Sequence, residues 1–410
     1  MATIQNIPKL RFPGFDGEWE LKKLGEIITN KSGKFNPVKE KYFTKCIELE
    51  HLATGKGQLL GFIDGRSSGS IKNKFNEGDV LFGKLRPYLK KHLLAPFDGV
   101  CSSEIWVLKG IKISNFFLYQ IVQTNKFIDL ANQSSGSKMP RADWNVVKNG
   151  IFSSPTLPEQ QKIASFLSAV DEKIQQLSRK KELVEKKKKG VMQQLFSGKL
   201  RFKPDQSEAE GDENGKDYPD WEKGSFSKFI KLYRGSSPRP IIKYVTTAED
   251  GVNWIKIGDT KQCKNYRISS VSEKITKKGS LKSRFVEKGE IILANSMSFG
   301  KSYLLELEGC IYDGWFVLRE YEKSYIQEFL LQVLNSEFLQ RQYFRLSTGG
   351  VVQNISSEIV YSTLLFRPVL EEQQKIANFL SGIDDKIENT KQEINQMQSF
   401  KKGLLQQLFV

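Results

Sequence analysis

Histidine and cysteine are scarce: two of the first, His51 and His92, and four of the second, Cys46, Cys101, Cys263 and Cys310, in 410 residues. The cysteines lie far apart with no Cys-x-x-Cys pair, which argues against a structural zinc site and against a disulfide framework. No apolar run approaches the ~20 residues needed to span a bilayer. The first residues, Met1-Ala2-Thr3-Ile4-Gln5, lack the basic-then-apolar pattern of an export signal, so a soluble cytoplasmic protein without membrane contact is expected.

Catalytic signatures are missing as well. The nearest thing to a phosphate loop is the run Asn295 to Ser302, which ends in Gly300-Lys301-Ser302 but carries Asn295 where the leading glycine is required. Nuclease-like Glu-x-Lys triplets occur at Glu20-Leu21-Lys22 and Glu185-Lys186-Lys187, yet neither offers a pair of metal-binding carboxylates on a strand. There is no glycine-rich methyltransferase loop and no Asn/Asp-Pro-Pro-aromatic motif, and neither histidine has a companion nucleophile pattern. Each histidine is expected to be surface or core filler. The pattern fits a binding subunit, not an enzyme, whose chemistry is supplied by partners.

What is present in quantity is positive charge. Sixty-three Lys and Arg against 47 Asp and Glu leave +16, and such a chain seeks a polyanion, nucleic acid before an acidic lipid surface. Residues 1–156 carry +9, 157–204 carry +7, 205–222 carry −7, 223–368 carry +8 and 369–410 carry −1. Two basic globular stretches are thus separated by a basic segment and a short acidic one. The acidic stretch Asp205–Asp217 reads as a solvated tether.

An internal repeat dictates the architecture. Residues 157–196 align without gaps to 370–409, with 20 of 40 positions identical. Weaker echoes precede each copy. Lys9-Leu10-Arg11-Phe12 recurs as Lys199-Leu200-Arg201-Phe202, and Trp19-Glu20 as Trp221-Glu222. The run Phe75 to Phe82 matches Val286 to Leu293, a turn feeding a buried strand, and Trp106-Val107-Leu108 matches Phe316-Val317-Leu318. Elsewhere the halves diverge. The division expected is a recognition module at 1–156, a helix at 157–200, an acidic linker at 201–222, a second module at 223–368 and a second helix at 369–410.

In the first constant segment Ile163, Leu167, Val170, Ile174, Leu177, Val184, Val191 and Leu195 follow alternating spacings of four and three, with Lys181 and Lys188 in the remaining seam positions. The second keeps the register with Ile376, Leu380, Ile383, Ile387, Ile394, Met397, Leu404 and Leu408, interrupted by Thr390 and Lys401. Pro158 suits a first helical turn, and Glu159, Glu371 and Glu372 complement the positive end of the dipole. About 39 residues make a helix roughly 55 to 60 Å long. The chain path predicts antiparallel pairing, with Ile163 opposite Leu408, Leu195 opposite Ile376 and Lys181 facing the small Thr390. The seam lysines are expected to snorkel toward water.

Loop-like runs in both modules join a cation or amide to glycine, serine or proline. The first module offers Lys34, Lys84, Arg86, Lys90, Lys91, Lys138 and Arg141, and the second Arg234, Arg239, Asn295, Lys301 and Gln353. Arg and Lys can bond guanine, Asn and Gln can read adenine, and amides in Gly-Ser loops can hold phosphate. These are the candidate DNA contacts.

The order KLRFPGFDGEW, variable module, LPEQQKIASFLSAVDEKI, then the same order ending in LEEQQKIANFLSGIDDKI resembles the specificity subunit of type I restriction-modification systems along the whole chain. The resemblance implies an α+β fold: two mixed α/β target recognition domains joined by two long helices in an antiparallel coiled coil. It further implies that each domain reads one half of a bipartite sequence in double-stranded DNA while the helices act as a ruler. Two modification subunits would bring S-adenosylmethionine, restriction subunits would bring ATP, magnesium and translocation, and this chain would bind no cofactor. The rival readings are a stand-alone duplicated nuclease or methyltransferase and a purely structural coiled-coil scaffold.

Overall fold

The structure, a computed structural model, describes residues 6–40, 42, 44–67, 69–133, 139–204, 217–296, 300–347 and 354–410. The chain divides into two units. One runs to Leu177 and includes Glu393–Val410; the other is Ser178–Gln392. Each long helix therefore contributes one end to each unit.

In the first unit the uninterrupted apolar run of Val80–Gly83 becomes the fully buried strand that its composition dictates. It lies between Ile105–Gly110 and His92–Leu94, with Ile28–Thr29 completing an antiparallel sheet in which Trp106 stands opposite Phe82. The turn ahead of it closes because the Asn76 amide donates to Asp79 Oδ2 at 2.8 Å and Gly78 takes a φ of +80°. The second unit repeats this device. The Glu287 amide donates to Glu290 Oε2 at 2.8 Å, Gly289 has φ +93°, and the buried strand Ile291–Ala294 runs between Trp315–Arg319 and Ser302–Leu305.

Each module carries a second sheet built around one parallel pair, Cys46 beside Val100 in the first and Trp254 beside Cys310 in the second. The sheets differ at their edges. In the first unit Lys34–Phe35 is added beside Lys72–Phe75; in the second Val245–Thr246 is added at the opposite edge, beside Glu273–Ile275. A two-stranded clasp then closes each module: Glu20–Lys23 pairs with Ile151–Ser154, and Glu222–Ser225 with Leu364–Arg367. The module therefore ends where it began, at the start of a long helix.

Those helices are Leu157–Phe196 and Leu370–Leu408. In the first unit one core unites Ile163, Leu167 and Val170 with Leu404 and Leu408 and with module residues Phe117 and Phe127, while Ile174 and Met397 are partly buried against it. In the second unit Leu195 and Phe196 share a core with Ile376, Leu380, Ile383 and Phe329, flanked by Val184, Val191 and Ile387. The start of each helix meets the end of the other, so the pairing is antiparallel. Leu177 is buried and Ile394 half-buried. The first helix stops at Phe196 because Gly198 turns left-handed at φ +73°, and the amides of Gly198 and Lys199 cap the carbonyls of Leu195 and Gln194.

Two seam expectations need correction. Lys188 and Lys401 do not reach out to water; each is inside an ion pair, with Asp384 and Asp171 respectively, because an aspartate of the opposite helix stands within reach. Lys181 pairs along its own helix with Glu185 at 2.8 Å, and Thr390, buried, donates its hydroxyl to the Lys386 carbonyl. Glu159 and Glu372 also do more than face a helix dipole. Both are buried, and each is gripped through two bonds by the arginine of a Lys-Leu-Arg-Phe repeat, Arg11 or Arg201. Glu371 remains exposed.

Candidate nucleic-acid interface

Backbone pairing in the first unit gathers residues that are distant in sequence. Leu85 bridges to Arg141, the Arg86 amide donates to the Pro140 carbonyl at 2.8 Å, and the Ala142 amide donates to the Lys84 carbonyl at 2.8 Å. Arg86 and Lys90 both adopt left-handed backbone, φ +52° and +50°, at the two ends of the short 3₁₀ turn Pro87–Leu89. A non-glycine residue in that region is uncommon, and two flanking one turn lift both cations outward. Arg86, Lys90 and Arg141 are exposed and Lys84 is half-buried. Arg141 keeps a partner in Glu104 at 3.1 Å.

A third loop joins them through the bridge from Thr54 to Lys91 and the bond from the Gly55 amide to the Lys90 carbonyl. It carries exposed Lys56, which the sequence reading missed. The signal was available in Thr54-Gly55-Lys56-Gly57, a cation between two glycines. Gly57 is required there: its φ is +60°, and a Cβ would lie 2.1 Å from the Tyr119 hydroxyl. Lys91, in contrast, is turned inward and donates to the Leu49 carbonyl at 2.7 Å. Lys34 lies on the edge strand of the second sheet and donates to Asn73 Oδ1 at 2.6 Å. Lys138 lies outside the described residues.

The second unit organises its candidates around a residue that the sequence did not single out. Asp313 accepts from Ser237 Oγ at 2.5 Å and pairs with Arg239 at 3.5 Å. Its backbone carbonyl accepts from Asn295 Nδ2 at 2.9 Å and from Arg234 Nε at 3.4 Å. The Ser237 hydroxyl, with help from Arg239 and Arg234, holds the Asp313 carboxyl below the usual carboxylate range. Arg234 and Arg239 are exposed, whereas Asn295 is buried and braces the loop from beneath. Burial depresses the ammonium of half-buried Lys301. Gln353 lies outside the described residues. Beside this cluster Arg284 and Arg319 both lie over the Tyr233 ring, at 5.6 and 5.7 Å from its centre.

Both histidines, Cys46, Cys101 and Glu20 are held within the fold. Burial pushes the His92 imidazole down to about 4 and raises the thiols of Cys46 and Cys101. His51 accepts from the Glu48 amide in a cap, and Glu20 is engaged by Lys22 of its own triplet at 2.7 Å. Each module thus presents exposed cations, Lys56, Arg86, Lys90 and Arg141 in the first and Arg234 and Arg239 in the second.

Two such surfaces on repeated helical frames define a duplicated DNA specificity protein. The family model described as the type I restriction modification DNA specificity domain matches twice, at residues 16–186 and 219–399, and the chain belongs to that family. The MjaVIII specificity subunit of Methanocaldococcus jannaschii is 26% identical, over 95% of this chain and 91% of its own length. The putative MjaX specificity subunit of the same organism is 24% identical, over 98% and 95%. Among solved structures, the S subunit from M. genitalium shares the fold with a TM-score of 0.58 at 15% identity, over 98% of this chain and 99% of that one. A chain from a type I system studied for assembly and conformational transition has a TM-score of 0.59 at 20% identity, over 94% and 96%. None of these relatives supports a stand-alone nuclease or methyltransferase. Among the described residues no helix is long and apolar enough to cross a membrane.

Proposed function

We propose that the chain is the DNA-reading subunit of a type I restriction-modification complex, acting in the cytoplasm. Residues 1–156 read one half of a bipartite target and residues 223–368 the other. The helices Leu157–Phe196 and Leu370–Leu408 set the gap between the half-sites and dock two modification subunits, and the acidic stretch 205–217, outside the described residues except for Asp217, is a tether. S-adenosylmethionine belongs to the modification subunits, ATP and magnesium to the restriction subunits, and no cofactor to this chain.

The observation that carries this reading is the contrast within each unit. Helix contacts recur residue for residue, Arg11–Glu159 as Arg201–Glu372 and Lys401–Asp171 as Lys188–Asp384, while the cation-bearing loops above them are built differently. A frame kept constant beneath variable tips serves one partner type and two different target sequences. Equivalent docking surfaces imply two copies of that partner.

Methylome sequencing of a host expressing the chain with its partner subunits tests the proposal. Replacing residues 1–156 by the corresponding module of a relative should change one half-site and leave the other intact. If both half-sites changed together, the two-reader reading would fail.

A further inference from the structure

Two partly buried polar clusters each place a lysine at a seam position where an apolar residue would pair the helices unaided. In the first unit Lys401 Nζ donates to both carboxylate oxygens of Asp171, at 2.5 and 2.7 Å, and to Gln123 Oε1 at 2.5 Å. In the second unit Lys188 Nζ donates to both oxygens of Asp384 at 2.7 Å and to Gln332 Oε1 at 3.2 Å, and Gln332 Nε2 returns a bond to Asp384 at 3.0 Å. Lysine and aspartate come from the helices, glutamine from the module.

The lysines and aspartates are identical residues at matching positions of the helical repeat. The glutamines have different origins. Gln123 sits in the turn beyond helix Asn115–Ile121, whereas Gln332 lies inside helix Gln327–Leu334. Two modules of the same architecture deliver the same side chain to the matching ammonium from different positions. Lys401 is 8% exposed and the Lys188 side chain 13%, so a module lacking its glutamine would leave a largely buried ammonium one acceptor short. Apolar residues of similar volume would hold two helices at least as firmly as a buried ion pair does. What the polar cluster adds is direction, because its bonds are all made in only one rotation of the module about its helices, much as a buried asparagine fixes the register of a coiled coil.

We propose that Gln123 and Gln332 are positioning residues. Each keys its recognition module to a helical Lys–Asp pair, fixing the angle at which the module presents its loops and sharpening the half-site spacing that the subunit accepts. The inference rests on the reading of the chain as a bipartite DNA reader. Neither glutamine belongs to the loops that face DNA, so their removal should leave base preference alone.

The test uses complete complexes carrying Gln123→Leu or Gln332→Leu, with methylation measured on duplexes of the native gap and of gaps one base pair shorter and longer. Each variant should keep its half-site bases while its preference for the native gap falls by about five-fold, the size of one net hydrogen bond. Where a leucine variant fails to assemble, the paired apolar replacements Lys401→Met with Asp171→Leu, and Lys188→Met with Asp384→Leu, keep the helices packed and should show the same loss. Undiminished preference for the native gap in variants that assemble overturns the proposal. Absence of any sequence-specific methylation with the unsubstituted chain would instead sink the underlying functional reading.

Discussion

Arg11 holds Glu159 through two bonds of 2.8 Å, from Nε and from one terminal nitrogen. The carboxylate is almost fully buried, and this contact raises the already high pKa of the guanidinium. Arg11→Ala would strand a buried charge and should destabilise the first unit by about 3 kcal/mol. Arg11→Lys should recover only part of this, because an ammonium cannot reproduce the two-pronged geometry. Arg201→Ala should do the same to the second unit, where the bonds to Glu372 are 3.0 and 2.7 Å. Hydrogen exchange resolved by peptide would locate each loss, and an equal effect in both units from either variant would contradict the assignment.

Acid should weaken the first unit through His92. Folding lowers its pKa from 6.5 to about 4, chiefly by desolvation. Between those values the unfolded chain binds a proton that the native one refuses, so stability is complete above about pH 6.5 and drains away as pH falls toward 4. The whole effect is on the order of 3 kcal/mol, at 1.36 kcal/mol per pKa unit. Urea midpoints measured across that range should flatten in His92→Leu relative to the parent.

Asp313 ties Ser237, Asn295, Arg234 and Arg239 into one cluster. Asp313→Ala removes the carboxylate that orients Ser237 and Arg239 and should blur recognition of the second half-site, sparing the first. Arg239→Ala should be milder, relaxing one base position by roughly 1 to 3 kcal/mol or weakening all sequences evenly. Binding to a panel of single-base variants separates these outcomes, and loss at both half-sites in Asp313→Ala would refute the local role.

Binding should also fall steeply with salt, since two modules carrying +9 and +8 release condensed counterions from DNA. A plot of log affinity against log salt should be linear with a slope of several units. A flat plot would exclude phosphate contact as the main source of affinity.

Removing one heptad from each helix, Lys180–Lys186 together with Asp385–Lys391, leaves both Lys–Asp pairs in place and shortens the helices by about 10 Å. The accepted gap should shrink by about three base pairs at ~3.4 Å each, or binding should fail because the modules leave phase with the grooves. Full affinity for the original gap would show that the helices are not the ruler.

The helices were the most legible part of the sequence, because a seven-residue spacing of Ile, Leu and Val fixes both a buried face and a register. The partners of the seam lysines were not, since Asp171 and Asp384 stand just off the seam and read as ordinary surface charge. The buried strands at Val80–Gly83 and Ile291–Ala294 could be anticipated from apolar runs shared by both halves. Loop assembly was legible only in part. Arg86 and Lys90 announced themselves by charge beside proline, but the pairing of Leu85 with Arg141 and the hub at Asp313 depend on contacts between remote segments, which no local pattern encodes. Lys91 shows the converse: it sits within the same basic run, yet its ammonium is committed to the Leu49 carbonyl.

The amide of Leu10 donates to the carbonyl of Gln407 at 3.0 Å, and the amide of Leu200 donates to the carbonyl of Gln194 at 3.1 Å. These are the same bond at matching places in the repeat. At Leu200 the peptide chain itself runs from the helix into the segment that follows; at Leu10 only non-covalent contacts make that join. In the first unit the end of the second helix thus meets the segment leading into the first module just as, in the second unit, the end of the first helix meets the segment leading into the second module. Joining residues 410 and 6 through a short flexible linker and reopening the chain within 205–216 should yield a protein that assembles and reads the same two half-sites, with the order of its recognition modules along the polypeptide reversed.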